Sequence, residues 1–317
     1  DIASDRLSVS GSGRVAMTDA YDAEMTLRFN ESSIDPYLRF VAPGLSPYTQ
    51  AVVSGVVRLR GELANLSRLG VDLTIDRADL RLLDFELRNP TLADGTRQPL
   101  RFSFDDDILK VDAFRLEGDG TALLLAGSMH RLDRTLDMSI DGRSSLAILQ
   151  GVMTDLRASG ETTIAARVTG TFDQPSYSGQ ATINDGRLRP FAFPHSLDAI
   201  TGAVLFDSSG LRLDGLRARM GTGGSGDVRF GGTIGLDGFL PGELDLTLRG
   251  DNLDLRFPEG FRSIVDADLA LTGRLDDAQL GGRVTVRQAR YTRRLQGNTG
   301  LLGLAAAGGS GQAAAPP

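Results

Sequence analysis

The 317-residue chain contains no cysteine and no tryptophan. Without cysteine there can be no disulfide framework, thiolate metal site or cysteine nucleophile; a cytosolic protein and a disulfide-free envelope protein both remain open. Aromatic residues are only 6% of the chain, few for the core of a closed β-sandwich. Lysine occurs once, at Lys110, so arginine supplies nearly all the positive charge. The formal net charge is −7, and without a basic stripe to release phosphate counterions, nucleic acid is excluded as a partner. No run of 18 apolar residues exists, so no segment reads as a membrane-spanning helix. No signal peptide opens the sequence at Asp1. The pattern starts and stops in mid-phrase, so the chain reads as a piece of a longer protein, with any anchor lying outside it.

What is present is glycine, 39 residues of it, and short apolar alternations of period two. Glu243–Arg249 (ELDLTLR) is the cleanest, with leucine on one face and charge or hydroxyl on the other. Similar runs occur at 24–29, 57–60, 71–75, 80–82, 109–114, 123–125, 136–140, 163–168, 203–206, 211–213, 228–230, 265–271 and 284–286. Asp-Gly pairs at 94–95, 119–120, 141–142, 185–186 and 237–238 favour positive φ and predict hairpin turns. An antiparallel meander is expected.

One phrase recurs. It reads GELANLSRLGVDLTI from Gly61, GTFDQPSYSGQATI from Gly170 and GRLDDAQLGGRVTV from Gly273, a period of about 105 residues, which marks an array of one structural unit. The expected units are 1–82 (partial), 83–188 and 189–296. The glycine- and alanine-rich 297–317 reads as a disordered low-complexity tail. Segments 34–53, 144–156 and 255–264 break the alternation at the same point of each unit and read as short helical or looped insertions.

An array of one-sided strands without linkers fits an all-β, elongated, mostly antiparallel sheet curled into a groove. At ~4.8 Å per strand, roughly twenty strands give a trough on the order of 100 Å. An apolar face of that size is not left to water without purpose, and fatty acyl chains would satisfy it. An ordinary closed core is the competing reading of the same alternation. The candidate lining residues are Val71, Leu73 and Ile75; Ile164 and Val168; Leu211 and Leu213; Leu244, Leu246 and Leu248; Val265, Leu269 and Leu271; and Val284 and Val286.

Residues 265–291 (VDADLALTGRLDDAQLGGRVTVRQARY) resemble the TamB branch of the AsmA-like envelope proteins. So do 168–183 and the phrase LDAITGAVLFDSSGLRLDGLRARMGTGGSGDVRFGG at 197–232. The resemblance extends over 1–296, strongest after residue 160. It takes the chain for a middle section of the family's β-groove, lacking both the N-terminal membrane helix and the conserved C-terminal domain. It implies a periplasmic groove, anchored to the inner membrane by a segment outside this chain, that moves phospholipid between the membranes. Scaffolding of outer-membrane protein assembly is the alternative. An outer-membrane barrel partner of the BamA/TamA type would bind through the missing C-terminal region. The family brings no cofactor, metal or catalytic residues.

Other motifs carry less. The segment 221–227 (GTGGSGD) lacks the Gly-Lys-Ser/Thr ending of a phosphate loop and is a single, misregistered copy of a calcium nonapeptide. Asp105, Asp106 and Asp107 lack flanking calcium ligands and read as a solvated turn. His130 and His195 have no acid or nucleophile at motif spacing and read as surface or rim residues rather than catalytic ones. The loop 190–194, with Phe191 and Phe193, reads as a rim loop.

Overall fold

The computed structural model describes residues 2–3, 7–35, 37–38, 46–151, 153, 155–191, 193–238, 240–274 and 277–291. The expected tail 297–317 lies outside the described residues. Among the described residues eighteen strands form one sheet. They are β1 (Ile2–Ala3), β2 (Ser8–Val15), β3 (Asp22–Ser33), β4 (Thr49–Glu62), β5 (Leu69–Leu82), β6 (Phe85–Arg88), β7 (Leu100–Asp105), β8 (Ile108–Gly118) and β9 (Thr121–His130). There follow β10 (Thr135–Ser145), β11 (Leu156–Thr171), β12 (Pro175–Pro190), β13 (Leu197–Asp207), β14 (Gly210–Met220), β15 (Gly226–Asp237), β16 (Leu240–Leu255), β17 (Phe261–Arg274) and β18 (Gln279–Tyr291). Every pairing is antiparallel, and from β8 to β18 each strand pairs with the next. The expected curled antiparallel sheet is what forms.

Two departures have physical reasons. The runs 71–75 and 80–82 belong to one strand, β5, whose far half pairs with β6 and near half with β7. The chain leaves the ladder between β6 and β7, and the buried Asn89 stands in for it. Its Nδ2 donates to the Asp76 carbonyl (2.9 Å) and the Gln98 carbonyl (2.8 Å), and its Oδ1 accepts from Ala78 N (3.0 Å). Second, Asp141-Gly142 and Asp185-Gly186 are not hairpins but lie inside β10 and β12. Their positive φ (Gly142 140°, Asp185 49°) bends strands rather than reversing them.

Asp185 belongs to a series. Among the register shifts in the pairing, six form a set, at 29–32, 159–161, 183–186, 198–201, 213–216 and 250–253. Each contains one residue of positive φ: Glu31 (42°), Gly160 (113°), Asp185 (49°), Ala199 (51°), Gly215 (60°) and Asn252 (54°). A bulge adds a residue to one strand and sharpens its twist, so a line of bulges bends the sheet along that line. Gly232, on a neighbouring row, has φ 110°, and a Cβ there would sit 2.0 Å from the Asp245 carbonyl oxygen. The strands approach too closely for any side chain at that position.

The sheet has two rims. The near rim carries the β2–β3, β4–β5, β7–β8, β9–β10, β11–β12, β13–β14, β15–β16 and β17–β18 turns; the far rim carries the β3–β4, β5–β6, β8–β9, β10–β11, β12–β13, β14–β15 and β16–β17 connections. The recurring phrase is the near-rim hairpin of β4–β5, β11–β12 and β17–β18, and Gly61, Gly170 and Gly273 share positive φ (115°, 92°, 102°). Each of these strand pairs is hydrogen-bonded along most of its length, so the phrase is no hinge between separate domains.

The three insertions lie on the far rim. In the first, Tyr37 N and Leu38 N both donate to the Ile34 carbonyl (3.0 Å each); residues 36 and 39–45 lie outside the described residues, and 49–53 are strand. The second is the 3-10 helix Leu146–Gly151. The third shrinks to residues 256–260, since Leu255 ends β16 and Phe261 begins β17.

Candidate functional site

The registers show which side chains share a face. Directly paired positions run Leu116–Leu123–Gly142–Ile164–Ala181–Val204 from β8 to β13. The same row continues Leu213–Gly232–Leu246–Leu271–Leu280 to β18. A second row runs Leu27–Val57–Leu73–Phe102–Val111–Gly127–Met138–Val168–Tyr177 from β3 to β12. A third runs Met25–Leu59–Val71–Phe104–Leu109–Met129–Leu136. A fourth joins Phe114, Leu125, Ile140, Ala166, Gly179, Phe206, Leu211, Ile234 and Leu244. Apolar residues and glycine occupy every position in these rows, so one apolar stripe crosses the sheet without interruption.

The opposite face is charged. Asp137 and Arg167 pair there, as do Arg249 and Asp268 (3.6 Å), and Arg287 and Asp266 (2.5 Å). These pairs are largely exposed, so each contributes little to stability.

All fifteen candidate lining residues lie on the apolar face, but not in one environment. Val71, Leu73, Ile75, Ile164, Val168, Leu211, Leu213, Leu246, Leu248, Leu269 and Leu271 are half-buried. Leu244 and Val265 are buried, each 4% exposed. Val265 sits with Met220, Val228 and Leu253 in a dry cluster on the far side of the bulges. Val284 and Val286 lie on the edge strand β18, 54% and 57% exposed. The apolar-face residues not singled out from sequence include four phenylalanines, Phe102, Phe104, Phe114 and Phe206, beside aliphatic ones such as Leu123, Leu125 and Ile140. The same alternation marks them.

Contacts between distant strands show that the apolar face is the inner one. On the near rim the Tyr177 hydroxyl, from the start of β12, donates to the Gly238 carbonyl in the β15–β16 turn. Also there, Arg131 in the β9–β10 turn pairs with Asp107 (2.5 Å) and donates to Ser67 Oγ (3.3 Å), 64 residues away. Ser67 and Arg131 together hold the Asp107 carboxyl below the usual carboxylate range. So Asp107 serves a tertiary ion pair rather than a solvated turn. On the far rim, Ala147 and Ile148 of the 3-10 helix pack on Leu82, Phe85 and Leu87, and Ser46 N donates to the Gly151 carbonyl (2.7 Å). Further along, Arg256 N donates to His195 Nε2 (2.8 Å), and Phe193 stacks edge-on against Phe257 with centroids 5.5 Å apart. In a flat sheet, β12 and the β15–β16 turn would lie about 15 Å apart at ~4.8 Å per strand, beyond a tyrosine's reach.

His195 is therefore a buried rim residue. Burial lowers its pKa, opposed by Asp254 and aided by Arg256. The neutral ring is the form that accepts from Arg256 N. His130 ends β9, exposed. Residues 221–225 simply connect β14 to β15. Among the described residues no group of three or more His, Cys, Asp or Glu could hold a metal ion, and no helix is long and apolar enough to cross a membrane.

No curated protein and no solved structure matches the chain. A family model, the TamB C-terminal domain, matches residues 214–304, from β14 through the edge strand and beyond it. This corrects the expectation of a middle section without the C-terminal domain: the match begins at residue 214, inside the expected third unit. The match supports a TamB/AsmA-like assignment for the part of the chain it covers.

Proposed function

We propose that this chain is a stretch of a lipid conduit: its inner face replaces water around phospholipid acyl chains while headgroups stay at the open side. The TamB C-terminal domain match over 214–304 supports a role in the cell envelope and outer-membrane biogenesis, in transport or assembly rather than catalysis. The observation that supports lipid is the register. Apolar rows pass through strand after strand without a polar step, so an acyl chain can slide from one strand to the next at little cost. Burial returns ~25 cal/mol per Å² of apolar surface wherever along the row the chain lies. This sameness favours transport over storage. The periplasm between an inner-membrane anchor and the outer membrane is the compartment this role requires.

Native mass spectrometry of the purified chain tests the reading. Phospholipid should co-purify, and Leu246→Asp or Leu269→Arg should remove it while the circular dichroism of the sheet persists. Lipid-free wild-type protein would sink the idea.

A second reading has its own support. Every residue of β18 is exposed, and among the described residues only β17 pairs with it. An unpaired edge can accept a strand from a client or from an outer-membrane barrel of the BamA/TamA type. Protein crosslinks confined to β18, in lipid-free material, would favour that scaffold role.

A further inference from the structure

The two rims differ in the apolar side chains they show to water. Among the described residues seven aromatic side chains are exposed. Tyr21 is on the near rim; Tyr37, Tyr48, Phe191, Phe257, Phe261 and Tyr291 are on the far rim. The near rim shows aliphatic and methionine side chains instead, among them Met17, Leu63, Leu66, Leu132 and Leu240. Singly exposed residues of that kind are ordinary on a protein surface. The far-rim aromatics gather at one corner, where β16, β17 and β18 meet the rim. Phe257 and Phe261 flank the turn 258–260, closed by Phe261 N donating to the Pro258 carbonyl (3.0 Å). Phe193 stands 5.5 Å from Phe257, and Tyr291 stands 4.9 Å from Phe261, ring centre to ring centre. Two ring pairs thus form a lip on either side of one turn. Phe193 packs on the dry cluster of Met220, Val228, Leu253 and Val265, which anchors the lip. The other three rings keep nearly half their surface in water: Phe261 44%, Tyr291 46% and Phe257 49%.

Each of these rings has an arginine beside it: Arg256 precedes Phe257, Arg262 follows Phe261 and Arg290 precedes Tyr291. Neighbours along an extended chain point to opposite sides, so rings and guanidinium groups flank the strand ends. Arg262 is held by Asp254 (2.6 and 3.1 Å). Arg256 and Arg290 make no ion pair among the described residues, and Glu259 is the one carboxylate in the turn. We propose that this far-rim corner docks on a bilayer surface that carries anionic phospholipid headgroups. Aromatic rings settle at the boundary between acyl chains and headgroups, and arginines beside them meet the phosphates. A flat protein partner would need one continuous patch on the order of 800 Å². The lip is one turn and two strand ends, a shape suited to shallow insertion. The inference goes beyond the conduit reading and does not need it, since a scaffold would dock in the same way.

The absence of tryptophan makes the test clean, because one introduced indole reports alone. The full chain, as wild type, Phe261→Trp and Tyr21→Trp, is mixed with vesicles of phosphatidylglycerol and phosphatidylethanolamine. Phosphatidylcholine vesicles are the uncharged reference. The protein should float with the anionic vesicles. Phe261→Trp emission should shift to the blue and be quenched by brominated acyl chains, while Tyr21→Trp does neither. Phe257→Ser with Phe261→Ser should weaken vesicle binding at least about tenfold. Arg256→Gln with Arg290→Gln should weaken it roughly tenfold on the anionic vesicles and leave the reference unchanged. If the serine pair folds poorly, the tryptophan variants, which keep a ring at each site, carry the decision. Wild type that does not float, equal binding to both kinds of vesicle, an equal response from Tyr21→Trp, or flotation untouched by a folded serine pair overturns the docking. Quenching without flotation would mean lipid taken up by the protein; it overturns the docking and leaves the conduit. Protein that purifies lipid-free yet floats sinks the conduit and keeps the docking.

Discussion

Within β13–β17 the two sides of the bulge line are built from the same residues and behave differently. On the far side, Ile200, Leu216, Ala218, Met220, Val228, Leu253 and Val265 are buried, with Val228 wholly so. On the near side, Phe206, Leu211, Leu213, Ile234, Leu246, Leu248, Leu269 and Leu271 are half-buried, and Leu244 is the exception. Side-chain chemistry does not distinguish them. The bend does: far-side rows from different strands meet one another, while near-side rows face a gap. A closed core and a groove are thus two ends of one apolar face.

The sharpest break of this contrast is Val228→Asp against Leu246→Asp. A carboxylate at fully buried Val228 has no partner, and the fold should lose about 4 kcal/mol or more. The same change at Leu246 should cost under about 1 kcal/mol, because water reaches it, while lipid retention is lost. Chemical denaturation of both variants, beside their bound-lipid content, decides this; equal destabilisation would make the near side core as well. Gly232→Val tests the bend itself. With a Cβ placed 2.0 Å from the Asp245 carbonyl oxygen, the pairing of β15 and β16 should loosen, at about 3 kcal/mol. Slowed amide exchange in that variant, rather than faster exchange, would contradict the geometry.

The far-rim latch should respond to acid. Because burial lowers the His195 pKa in the fold, the unfolded chain binds more protons there. That contribution to stability is complete above the unfolded imidazole value of about 6.5 and is lost as pH falls through and below it. The thermal midpoint should therefore drop more between pH 7 and 5 in the wild type than in His195→Gln. Parallel pH profiles would remove His195 from the latch. The smallest effect is a gain. Ala199 is an exposed alanine at φ 51°, where glycine is unstrained, so Ala199→Gly should stabilise by roughly 0.5 kcal/mol after glycine's entropy cost. A midpoint that falls would mean Ala199 makes a contact worth more than its strain.

Much of this was legible in the sequence, for a simple reason. Alternation of period two reports the face of each residue directly, so all fifteen lining candidates fell on one side of the sheet. What alternation does not report is curvature. Asp141-Gly142 and Asp185-Gly186 carry the same signature as Asp119-Gly120, a true hairpin, because positive φ serves reversal and bulge equally well. The contacts between distant turns were invisible for a related reason. Tyr177 reads as one more apolar-face residue, and Asp107 as a turn acid, until the curl brings Gly238 and Arg131 within reach. Burial of Val265 likewise follows from the bend and not from its own neighbours in sequence.

Neighbour-only pairing also sets how such a chain can be made. Each hairpin needs only the strand before it, so the ladder can zip up from a growing end as it is synthesised, with low contact order and little search. The contacts between distant turns cannot. Each waits for a partner 61 to 64 residues further on, a delay of several seconds at translation rates of about 5–20 residues per second. During that interval the apolar face lacks the cover those contacts bring. The protein is therefore most exposed to misassociation not when it is unfolded but when it is half-rolled.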